Sequence, residues 1–303
     1  MDAVQLQMQE LSTAHTAPFT LWFLHLFVIL FASSHALRYG LLRMSQTYRD
    51  MTFEHQRTCI VYAQSLLWTT VALVLQLIAM PHTFGHAFTS KATREIIVAA
   101  VIISVLYTFE LVYRSRMNWS MQLHHLVTLT VLMYAVSAFD VLGHPSMVAL
   151  GNLWILQAST EQSTFVALLA WRWGCRPRRL ALLLKFAAVQ GLIVKFGAAV
   201  GTLVVWGLDD SMLSASSWDR SVTAVVWCML AGLQACQIYG AWALWKLGRR
   251  AVDRTDEAAR GAVSPALSES TKSGLDSPMA FYVPSLPSNG SRVDAVRVFR
   301  LSA

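Results

Sequence analysis

Charge is scarce in this chain: Asp, Glu, Lys and Arg make up 14% of its 303 residues, against about 25% in an ordinary soluble domain. That shortage argues against a globule folded in water. Cysteine is sparse too, and the four present (Cys59, Cys175, Cys228 and Cys236) show no CxxC spacing. Neither a disulfide framework nor a zinc site of the usual pattern is suggested, which leaves them as small apolar packing residues. Lys and Arg are missing from the first 18 positions. Without a basic n-region there is no cleavable signal pattern, so the first apolar run is expected to persist as a helix.

What fills the space left by charge is apolar. Hydrophobic residues make up 55% of the chain, in recurring runs of about 18 residues or more, long enough to cross a ~30 Å hydrocarbon core. Seven spans are expected, at about 19–37, 58–78, 96–113, 121–142, 146–171, 180–206 and 221–245. Lipid offers the backbone no water to bond, so each span should be a helix. The expected fold class is an all-α integral membrane bundle of about seven transmembrane helices. No internal repeat is visible. From 248 to 303 the chain becomes rich in Ser, Pro and Gly, and reads as a disordered tail that cannot bury enough apolar surface to offset its ordering entropy.

Basic residues give an orientation. Arg38, Arg43, Arg49 and Arg57 fall in the first connection, Arg114 and Arg116 in the third, and Arg172, Arg176, Arg178, Arg179 and Lys185 in the fifth. The connections on the other side hold only Lys91, Arg94 and Arg220. By the positive-inside rule the N-terminal segment, 1–18, faces the lumen or exterior, and the C-terminus faces the cytosol. The net charge of +7 follows largely from this asymmetry, so no nucleic-acid partner is needed.

Ionisable groups inside spans are costly, and each invites a functional hypothesis. In "SMQLHHLVTLT", residues 120–130, His124 and His125 stand at the mouth of the fourth span, roughly 5 Å in by helical rise. Thr128 lies one turn deeper than His124 on the same face. Glu110 closes the third span at similar depth. Glu161 in the fifth span and Lys195 in the sixth fall at depths that permit an ion pair, and Gln157, Gln234 and Gln237 add further polar groups. Interfacial anchoring of the two histidines stays open beside a pocket, as does a purely structural role for Glu161 and Lys195. Adjacent helical residues point about 100° apart, so one ring at most faces a given pocket squarely.

Two stretches carry a resemblance. "RMNWSMQLHHLVTLTVL" resembles the signature of the TLC domain family, which includes the ceramide synthases, with Met121, His124, His125 and Thr128 in matching positions. "STEQSTFVALLAWRW" resembles that family's later pattern, through Glu161, Ser163, Phe165 and Arg172. The resemblance covers about residues 50–247, giving a TLC-like six-helix membrane domain preceded by one further helix and its cytosolic connection at 19–49. Asn118 stands where ceramide synthases carry Asp, and their further acidic cluster has no counterpart here.

The resemblance implies a protein of lipid, specifically sphingolipid, metabolism in the endoplasmic reticulum. One reading is N-acyl transfer from acyl-CoA to a lipid amine. His124 and His125 would then serve as base or nucleophile, within a pocket of Glu110, Thr128, Gln157, Glu161 and Lys195. Arg114 and Arg116 would attract the CoA phosphates, although positive-inside topology also explains them. The other reading is a non-catalytic lipid-binding or membrane-lipid-homeostasis protein using the same cavity. Neither requires a resident cofactor or metal; membrane lipids and acyl-CoA are the partners implied, and a homo- or heterodimer is compatible with both. An HxxxH spacing at His82 and His86 falls on the opposite side from the histidine pair, and a diiron site needs many more ligands on one face.

Overall fold

The computed structural model of the protein describes residues 16–84, 89–114, 116–142, 145–207 and 217–263. The expectations for 1–15 and for the tail from 264 onward lie outside those residues. Every regular element among the described residues is a helix: α1 (Thr16–Met44), α2 (Gln46–Arg49), α3 (Phe53–Phe84), α4 (Ser90–Tyr113), α5 (Trp119–Leu142), α6 (Pro145–Ser159), α7 (Gln162–Arg172), α8 (Pro177–Gly207) and α9 (Ser217–Val263).

The centre is α4, which packs on α1, α3, α5 and α6. Its sequence "VAAVIISVLYTF" offers no polar stripe, and a helix apolar all round is stable only when enclosed. Small residues let the neighbours close in: Ala99, Ala100 and Ser104 are buried alongside Val101, Ile103 and Val105. On the other flank α8 packs along α9 and also meets α6 and α7.

The outer faces are as apolar as the inner ones. Along α8, Leu182, Phe186, Val189, Ile193, Phe196 and Val200 recur at helical spacing and point outward, with Leu182 69% and Ile193 68% exposed. On α3, Leu67, Val71, Val74 and Ile78 form a second outward stripe. Apolar bands of this extent exceed what a soluble monomer leaves in water. Among the described residues, four helices are long and apolar enough to cross a membrane: Phe19–Met44, Phe53–Thr83, Lys91–Tyr113 and Pro177–Gly207. This is the pattern of a multi-pass membrane protein.

Two boundaries differ from the sequence expectation. The run at 146–171, expected as one helix, is interrupted at Thr160 and Glu161, which separate α6 from α7. The composition shift at 248 does not end a helix, because α9 continues to Val263. The turn from α7 to α8 is built on Gly174 at φ 68°. There the Cys175 amide donates to the Ala170 carbonyl (3.0 Å) and the Gly174 amide to that of Trp171 (3.2 Å). That is the Schellman pattern, which wants glycine at its left-handed residue.

The basic helix ends gather at one end of the bundle. Arg38 of α1 lies over the ring of Phe53 at the start of α3, Arg57 over Tyr113 at the end of α4, and Lys185 of α8 over Trp245 of α9. Arginine and lysine heads held on aromatic rings are typical of the membrane–water boundary.

Candidate functional site

Near that basic end, α4 and α5 bring Glu110 and the histidine pair together. Glu110 Oε2 lies 3.3 Å from His125 Nε2, and both side chains are almost fully enclosed. The other carboxylate oxygen, Oε1, receives Arg114 Nη1 at 2.5 Å, one turn further along α4. A single buried carboxylate thus faces a guanidinium and an imidazole at once. Neither ring nitrogen of His125 reaches hydrogen-bond geometry with any group among the described residues, so the Glu110 contact is close but not aligned.

Tyr107 covers the pair. Its ring centroid is 4.3 Å from that of His125 and 5.9 Å from that of His124. It sits three residues before Glu110, on the same face of α4. The sequence reading missed it, and that spacing was the one signal available.

The two histidines divide as adjacent helical residues must. His125 is buried, whereas His124 is partly exposed, and their rings lie 5.5 Å apart. Thr128 gives its hydroxyl proton to the His124 carbonyl at 2.8 Å, so it steadies the helix and does not address either ring.

Glu161 and Lys195 meet: Nζ donates to Oε1 at 2.6 Å. Glu161 occupies the N-cap position of α7 yet caps nothing with its side chain, because Lys195 has taken it. The interruption is patched by other side chains. Gln190 of α8 donates to the Thr160 carbonyl at 3.2 Å, Gln162 donates to that of Ser159, and the Thr160 hydroxyl donates to Leu156 at 2.7 Å. Broken helical backbone enclosed away from water persists only where such partners replace the lost helical bonds.

Other predicted members lie elsewhere or are already engaged. Gln157 accepts from Gln234 at 3.0 Å and from Gln237 at 2.9 Å, which ties α6 to α9. Arg114 is largely buried and committed to Glu110, so it does not stand free for a phosphate. Arg116 is exposed, but it is paired with Glu54 at 3.2 Å. Among the described residues, no three His, Cys, Asp or Glu side chains gather as a metal ion would require. No family model, curated protein or solved structure matches this chain.

Proposed function

We propose that the chain is a seven-crossing, TLC-type membrane protein of lipid metabolism that transfers an acyl group from acyl-CoA to a lipid amine, as the resemblance to ceramide synthases implies. The observation that carries this reading is the partly exposed His124 beside an enclosed Glu110–His125 contact, with Tyr107 packed over both rings. The basic end faces the cytosol by the positive-inside rule, with the N-terminus lumenal and the C-terminus cytosolic. The resemblance points to the endoplasmic reticulum.

In this mechanism the amine nitrogen attacks the thioester carbonyl carbon and its proton passes to His124. The carbon–sulfur bond breaks, and the CoA thiolate takes that proton as it leaves. His125, held against Glu110, would position its neighbour through their adjacent places on α5. Glu161 is held by Lys195 at the break between α6 and α7.

A second reading is favoured by a specific observation: the charges around the pair are already balanced, Glu110 by Arg114 and Glu161 by Lys195. Such a site suits a lipid headgroup held without chemistry. The test is acyl transfer from labelled acyl-CoA to a sphingoid base by purified full-length protein in nanodiscs. His124→Ala should lower transfer by about two to four orders of magnitude, the range of general-base catalysis, and His124→Asn should do no better. A wild-type protein that retains lipid but transfers nothing would establish the binder instead.

A further inference from the structure

Two guanidinium groups at the basic end lie against one aromatic ring, and among the described residues neither has a carboxylate partner. Arg38, near the end of α1, lies 4.7 Å from the ring centroid of Phe53. Arg57, one turn into α3, lies 5.6 Å from the same ring and 4.6 Å from that of Tyr113. The neighbouring arginines are neutralised, Arg114 by Glu110 and Arg116 by Glu54. Among the described residues no ion pair reaches Arg38 or Arg57, and Arg38 Nε is buried with no hydrogen-bond partner. Arg172, at the end of α7, lies 4.7 Å from the ring centroid of its neighbour Trp171.

A positive charge placed only to orient the chain needs nothing more than water, and its side chain snorkels outward to reach it. Arg38 and Arg57 are set apart by the Phe53 ring they share and by the buried, unpaired Nε of Arg38. Stacking on an aromatic face fixes the guanidinium plane while leaving its in-plane N–H donors free. A fixed fork of donors, one of them buried and unpaired, matches the oxygens of a phosphate group.

We propose that Arg38 and Arg57, held by Phe53 and Tyr113, form a binding site for the phosphate group of an amphiphile. The phosphate can belong to coenzyme A or to a phospholipid headgroup. As a coenzyme A subsite it rests on the acyl-transfer reading; as a headgroup site it stands without it.

The experiment reads binding and not turnover, so its outcome is separable from that of the transfer assay. Full-length protein in phosphatidylcholine nanodiscs is titrated with coenzyme A, with dioctanoyl phosphatidic acid, or with dioctanoylglycerol, and the rise in Tm gives an apparent Kd. At least one phosphate probe should bind, dioctanoylglycerol should not, and Arg38→Gln with Arg57→Gln should weaken that binding by about tenfold or more, as loss of charge-assisted hydrogen bonds implies. Arg43→Gln, an exposed arginine at the same end that lies over Tyr39 but not over Phe53, should change it less than twofold. If the Gln pair fails to fold, Arg38→Lys with Arg57→Lys keeps both charges and loses the fork, and should still weaken binding severalfold. A response to coenzyme A alone assigns the nucleotide, and one to phosphatidic acid alone assigns the headgroup. The proposal is overturned if neither phosphate probe exceeds dioctanoylglycerol, or if every folded arginine-pair variant binds like wild type.

Discussion

Glu110 is the residue on which the site's electrostatics turn. Its carboxylate sits between a buried guanidinium and a buried imidazole, and removing it strands Arg114 in an enclosed site. Glu110→Ala should therefore lower stability by roughly 3–5 kcal/mol, the usual result of breaking one side of a buried pair. Glu110→Leu with Arg114→Leu should cost less than Glu110→Ala alone, because no charge is then left unpaired. Thermal unfolding followed by near-ultraviolet circular dichroism makes the comparison, and a double variant weaker than Glu110→Ala would show that the pair itself supplies net stability. The histidines and Glu110 were legible in the sequence because polar residues stand out at the edges of apolar runs. Tyr107 was not, since an aromatic inside an apolar helix looks the same whether it meets lipid or imidazole. Arg114 was misjudged for a different reason. The positive-inside rule accounts for any arginine in that connection, and it drew attention from the i, i+4 spacing that pairs Arg114 with Glu110.

At the scale of elements, the break between α6 and α7 was invisible beforehand. Its sequence, "QASTEQST", holds neither glycine nor proline, the residues that usually punctuate a helix. The partner that stabilises the break, Gln190, comes from α8, 30 residues beyond the carbonyl it bonds. A long-range hydrogen bond leaves no local trace. The tail boundary shows the opposite error, since the composition shift at 248 is not where the helix ends. "RRAVDRTDEAAR" is rich in good helix formers, and α9, with 47 residues, is about 70 Å long by helical rise, far more than a bilayer needs. The break also decides what Glu161 and Lys195 do. Replacing either alone with Leu should destabilise by roughly 3–5 kcal/mol, and replacing both should be milder. Losses that simply add in the double variant would show that the observed contact carries no coupling energy.

At the scale of the whole molecule, the basic residues that the positive-inside rule reads lie at the same end as the histidine pair. The arginine and lysine ends of α1, α3, α4, α7 and α8 lie at one end of the bundle, and the histidine pair opens near it. One orientation would therefore answer two questions: which side the basic end faces, and, on the acyl-transfer reading, from which compartment a substrate would reach His124. Asn118, exposed between α4 and α5, begins an Asn-x-Ser sequon at this end, and Asn289 begins another in the C-terminal segment. With the basic end cytosolic, neither meets the glycosylation machinery of the lumen. Glycosidase treatment of protein expressed in a eukaryotic host should leave its gel mobility unchanged, while a sequon-bearing tag fused to the N-terminus should acquire glycan. A shift abolished by Asn118→Gln would place the basic end and the histidine mouth in the lumen. Acyl-CoA supplied from the cytosol would then have no route to His124, and acyl transfer would lose its substrate. A lipid-binding role would survive that result, because a headgroup reaches the bundle from either leaflet.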